Sequence, residues 1–114
     1  MATETAATET IDRDWTFLTN HGHVLICLAR DPNQRGWEIA QKVGITERAA
    51  QKIVTDLVES GYVRRERVGR RNVYTVTGDR ALRHPLEAGH TANELLDTLG
   101  APTANGSTSP TAAV

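Results

Sequence analysis

The sequence predicts an α+β, mostly α domain in which three helices precede a two-stranded hairpin and a further C-terminal helix. Three observations carry this expectation. Apolar residues recur at helical spacing in three windows between residues 20 and 61. From residue 62 the pattern changes to two short runs rich in Val and Tyr, separated by "GRRN". After Gly78 the helical spacing returns.

The first helix is expected over "NHGHVLICLARD". Asn20 is a capping residue, Val24, Leu25 and Leu28 have core spacing, and Asp31-Pro32 stops the chain because the residue before proline is pushed out of the helical region. The second is expected over "GWEIAQKVG". Trp37, Ile39, Ala40 and Val43 supply its apolar positions, with Gly44 as the C-terminal stop. The third fits "TERAAQKIVTDLVESG": Thr46 caps it, Ala49, Ala50, Ile53, Leu57 and Val58 form one stripe, and Gly61 ends it. Strands are expected at Tyr62 to Val68 and Val73 to Thr77, with Gly69 and Asn72 as turn formers. A fourth helix over about 85–99 has Pro85 in its first turn and Ala88, Ala92, Leu95, Leu96 and Leu99 on one face.

With 114 residues, one domain with a modest core is expected. The folded unit is placed at 14–99. Residues 1–13 and 100–114, rich in Ala, Thr, Ser, Gly and Pro, are expected to be disordered tails. No apolar run approaches the ~20 residues of a membrane helix. The acidic N-terminus lacks a secretory pattern, and the single cysteine, Cys27, excludes an intramolecular disulfide framework; the expectation is a cytoplasmic protein. No nucleophile with a nearby base, glycine-rich phosphate loop or carboxylate pair marks an enzyme, and no cofactor is expected.

Charge is distributed unevenly. The chain carries a formal −1, yet residues 62–83 hold seven arginines against Glu66 and Asp79, while residues 1–19 and 84–114 each sum to −3. Five of the arginines fall between Arg64 and Arg71. A basic centre between acidic ends points to a localised anion-binding face.

Two helices joined by a short turn, the second opening on a Thr cap, followed by a hairpin with a basic tip, match a winged helix-turn-helix. "WEIAQKVGITERAAQKIVTDLVESGYVRRERVGRRNVYTVT" resembles the core of winged helix-turn-helix transcriptional regulators of the MarR-like and ArsR-like kind. The residues carrying the resemblance are Glu38-Ile39-Ala40, Val43-Gly44-Ile45-Thr46, Leu57 with Gly61-Tyr62-Val63, and Gly69-Arg70 before Tyr74. The resemblance implies a sequence-specific double-stranded DNA-binding regulator, with the third helix in the major groove and the wing on the adjacent backbone or minor groove. Arginine suits that wing, because neutralising phosphates releases counterions and narrow minor grooves attract guanidinium groups.

On the third helix, Glu47, Arg48, Gln51, Lys52 and Thr55 face outward. Arg48 and Gln51 have the chemistry to read guanine and adenine, and Lys52 and Thr46 suit phosphates. Glu47 either accepts from a cytosine amine or disfavours wrong sites. On the wing, Arg65 and Arg67 share one strand face, Arg64 lies on the other, and Arg70, Arg71 and Asn72 are placed at the tip. The bland alternative for the wing is a solvated hairpin whose charges prevent edge aggregation.

His23 and Cys27 are four apart and have metal-ligand chemistry. ArsR-like proteins that sense metals usually use more than one cysteine, so Cys27 is read as a small buried hydrophobe and no metal is expected. Leu86, Leu95, Leu96 and Leu99 are expected to form a homodimer surface on the last helix; the alternative is that this helix closes its own core. No small-molecule effector is indicated. The rival functions are a winged-helix protein-interaction module and a nonspecific, architectural nucleic-acid-binding protein.

Overall fold

The computed structural model of the chain describes residues 15–100, so the expected tails lie outside the described residues, apart from Gly100. The elements are α1 (Asn20–Arg30), α2 (Gly36–Val43), α3 (Glu47–Glu59), β1 (Val63–Val68), β2 (Arg71–Val76) and α4 (Ala92–Thr98). The architecture is α+β: four helices and one two-stranded antiparallel sheet among the described residues. No described helix is long and apolar enough to cross a membrane.

The cap of α1 is Thr19 rather than Asn20. Thr19 has extended backbone and its carbonyl accepts the N–H of His23, while Asn20 already has helical geometry and its Oδ1 lies 3.2 Å from His23 Nδ1. Asp31 ends α1 with an extended backbone, as a residue before proline must, and its carboxylate accepts the N–H of Asn33 in a tight turn. The buried side chain of Gln34 then ties this turn together. Its amide donates to the carbonyls of Cys27 and Asp31, and its oxygen accepts from Lys42 Nζ on α2 at 2.9 Å.

Gly44 closes α2 at φ 88, a left-handed conformation that glycine adopts without Cβ strain. Thr46 follows as the cap of α3, accepting the N–H of Ala49 at 3.0 Å. The buried stripe of α3 is Ala50, Ile53, Val54 and Leu57; Ala49 and Val58 lie half-buried at its margins. Trp37, expected in the core, is 51% exposed. In α2 only Ile39, Ala40 and Val43 are buried, and Trp37 lies roughly 110° around the helix from their midline.

The hairpin pairs Val63 with Val76, Arg65 with Tyr74 and Arg67 with Asn72 on one face. Its turn is Gly69–Arg70, with Gly69 at φ 64, so the tip is shorter than "GRRN" and Asn72 belongs to β2. Buried Val63, Tyr74 and Val76 join the core formed by α1, α2 and α3.

The last helix is shorter than expected. Residues 85–90 form successive turns, and α4 begins only at Ala92. The reason is local: Thr91 and Glu94 form a capping box, with the Thr91 hydroxyl accepting the Glu94 N–H and the Glu94 carboxylate accepting the Thr91 N–H at 2.7 Å. That backbone donor holds the Glu94 carboxyl below its ordinary range. Leu96 is 0% exposed and packs with Ala92 in the domain's own core. Leu96 is therefore not a dimer-surface residue: the helix turns that side chain inward.

Candidate nucleic-acid interface

The capped start of α3 presents Thr46, Glu47, Arg48, Gln51 and Lys52 to solvent, with Thr55 half-buried behind them. Arg48 makes no hydrogen bond or ion pair with any described residue. Lys52 behaves differently. Its ammonium lies 2.8 Å from Asp56, one turn along the helix, and Asp56 also receives His21 Nε2 from α1 at 2.8 Å. The hydrogen bond from Lys52, then the one from His21, hold the Asp56 carboxyl below its ordinary value, and the same carboxylate holds the Lys52 ammonium above its own. A phosphate approaching Lys52 competes with a carboxylate already in place.

On the hairpin, Arg65, Arg67 and Asn72 extend the face that carries Val63, Tyr74 and Val76 at its base. Arg64, Glu66, Val68 and Arg71 occupy the opposite face. Arg65 and Arg70 are exposed and unpaired among the described residues, while Arg67 leans back toward the Gly69 carbonyl, Nε at 3.4 Å. Arg71 has a defined partner: its guanidinium donates to the carbonyl of Asn33 at 2.6 Å. Beside it, the N–H of Tyr74 donates to the carbonyl of Pro32 at 3.0 Å. β2 is thus docked on the loop between α1 and α2.

That same loop leads into the exposed face of α3. At Gly36, the first residue of α2, the side-chain amide of Gln51 occupies the place a Cβ would take, with Glu47 Oε2 close by. Residues 33–36 therefore touch β2 at one end and the outward face of α3 at the other. They bring Gln51, Glu47 and Arg71 to one side of the molecule, within about 10 Å of chain. Exposed Arg35 lies in this bridge. No local sequence signal marks it, because its setting depends on the contacts of Asn33 and Gly36 with distant residues.

The four leucines expected to form one dimer surface are not together. Leu96 is in the core, Leu86 is 90% exposed in the turns before α4, Leu99 is at the helix end, and Leu95 lines a groove of about 550 Å³. Phe17, Leu25, Leu57 and Leu82 line the same groove, and Phe17 is 93% exposed.

On another side, a cleft of about 730 Å³ is bordered by His23, Cys27, Arg30 and Lys42. Burial pushes the Cys27 thiol up, against the opposing pull of Lys42 and Arg30. No three His, Cys, Asp or Glu residues among those described are grouped as metal ligands would be.

Compared with models of protein families and with curated proteins, the chain matches none.

Proposed function

We propose that this chain is a winged helix-turn-helix protein that binds double-stranded DNA sequence-specifically and regulates transcription in the cytoplasm, as the MarR-like and ArsR-like resemblance implies. α2 and α3 are its helix-turn-helix, β1 and β2 its wing. α3 enters the major groove, where Arg48 and Gln51 read base edges. Arg65, Arg67 and Arg70 neutralise phosphates or enter the neighbouring minor groove. Thr46 and Lys52 face the backbone, and the chain carries out no catalysis.

The observation that carries this reading is the bridge formed by residues 33–36, which lies against both Gln51 on the outward face of α3 and Arg71 beside the turn of the hairpin. Exposed cations stand on both elements that the bridge joins, Arg48 on α3 and Arg70 at the turn before β2, and duplex DNA offers both a partner of regular charge spacing. Arg71 takes a different role from the one expected of it. It anchors the wing to the α1–α2 loop, and the phosphate contacts fall to its neighbours.

A homodimer is part of the proposal, since two small footprints on a pseudo-palindrome bind better than one. With Leu96 committed to the core and Leu86 and Leu99 apart from Leu95, its surface is the groove lined by Phe17, Leu25, Leu82 and Leu95.

Selection of bound sequences from a random duplex pool tests this reading, followed by titration of the best site against scrambled DNA at two salt concentrations. Enrichment of a pseudo-palindrome with half-sites about one helical turn apart is expected. Salt-steep binding without enrichment would instead describe an architectural protein. Absence of binding would leave the protein-interaction module.

A further inference from the structure

Gly36 has no conformational reason to be glycine. Its φ lies outside the left-handed range, so any L-residue fits the backbone. It also opens a helix, where alanine is the better residue. What glycine provides is space. A Cβ at this position would collide with the Gln51 Nε2 and approach Glu47 Oε2, so the amide of Gln51 lies directly on the backbone of α2. Gln51 is exposed on the outward face of α3, and Glu47 is one helical turn before it.

We propose that Gly36 is a specificity-determining position: by leaving this space open it holds the Gln51 amide in the orientation that reads an adenine in each half-site of the DNA. This rests on the function proposed above. A glutamine amide pairs with adenine through a donor and an acceptor at once, N7 accepting and N6 donating. The pair is selective only when the amide plane is held in register with the base edge. Free to rotate, glutamine bonds to many edges and distinguishes few. The α2 backbone at Gly36 is the wall that removes this freedom. The obstructing atom is the far end of a flexible side chain, so a Cβ at residue 36 displaces Gln51 without disturbing the core. Gly36 is accordingly a positioning residue, acting through Gln51 and not by touching DNA.

The test uses the full chain and the duplex selected from the random pool, together with duplexes in which each adenine of the half-site is replaced in turn. Affinity and thermal midpoint are measured for wild type, Gly36→Ala, Gln51→Ala, the double variant and Gln51→Glu. Gly36→Ala should melt at or above the wild-type temperature, keep its salt slope, and lose on the order of tenfold discrimination at one adenine. Gln51→Ala should lose discrimination at the same base, and the double variant should lose no more than either single one. Gln51→Glu, which leaves Gly36 in place, should shift the preference at that position toward cytosine, whose N4 donates to a carboxylate. Unchanged discrimination in Gly36→Ala, additive losses in the double variant, or an unaltered preference in Gln51→Glu would overturn the inference while leaving DNA binding intact. A wild-type chain that binds no duplex would overturn both.

Discussion

Asp56 holds two partners on one carboxylate, Lys52 from its own helix and His21 from α1. Because its folded pKa is lowered from 3.8, this contribution to stability is present above the ordinary carboxylate value and lost as pH falls through the lowered one. The raised Lys52 adds the converse: stability held below 10.5 and lost as pH rises through its higher folded value. Thermal midpoints of wild type and Asp56→Asn should therefore differ near neutrality and converge below about pH 4. The same variant releases Lys52 and should tighten DNA binding, measured by titration at constant salt. The hairpin arginines separate by role. Arg70→Ala should lower the slope of log affinity against log salt by ~0.9 with no change in stability. Arg71→Ala removes the bond to Asn33 and should cost about 1 kcal/mol in a urea titration.

The helices and the hairpin differ in how far the sequence revealed them. α3 was legible because every signal agreed: a Thr cap, a stripe at helical spacing and a glycine beyond the end. Gly44 likewise announced the end of α2 through the one backbone conformation that favours it. α4 is shorter than the periodicity suggests because Ala88 continues the apolar stripe backwards, whereas the start is set by the local pairing of Thr91 with Glu94. The sequence "TANE" contains that capping box, so the true boundary was available from capping chemistry though not from periodicity. The two roles of residues 33–36, by contrast, were not readable. They depend on contacts to Arg71 and Gln51, 38 and 15 positions away, which no local pattern encodes. At this scale Thr91→Ala should cost ~1 kcal/mol. Leu96→Ala should cost about 2–5 kcal/mol, because a side chain with no exposed surface leaves a cavity behind. Denaturant unfolding of both variants at several protein concentrations checks this. A Leu96→Ala penalty that disappears on dilution would mean that Leu96 works between subunits after all.

Over the whole molecule, the useful quantity is the placement of charge and not its total. A formal −1 conceals a cationic hairpin and an α3 face on which Arg48 is unpaired among the described residues. The apolar groove near Phe17 and Leu95 is lined by Leu57 and Leu82 and bordered by Asp56, Arg83 and Glu87, and through Asp56 it reaches Lys52 on α3. The most direct measurement is amide chemical-shift mapping of the labelled full chain during titration with the selected duplex. Shifts concentrated at residues 33–36, 46–55 and 64–72, with little change in α4 beyond its own start, are expected. Shifts confined to the groove around Phe17, Leu82 and Leu95, or none on α3 and the hairpin, would contradict the assignment of this face to DNA.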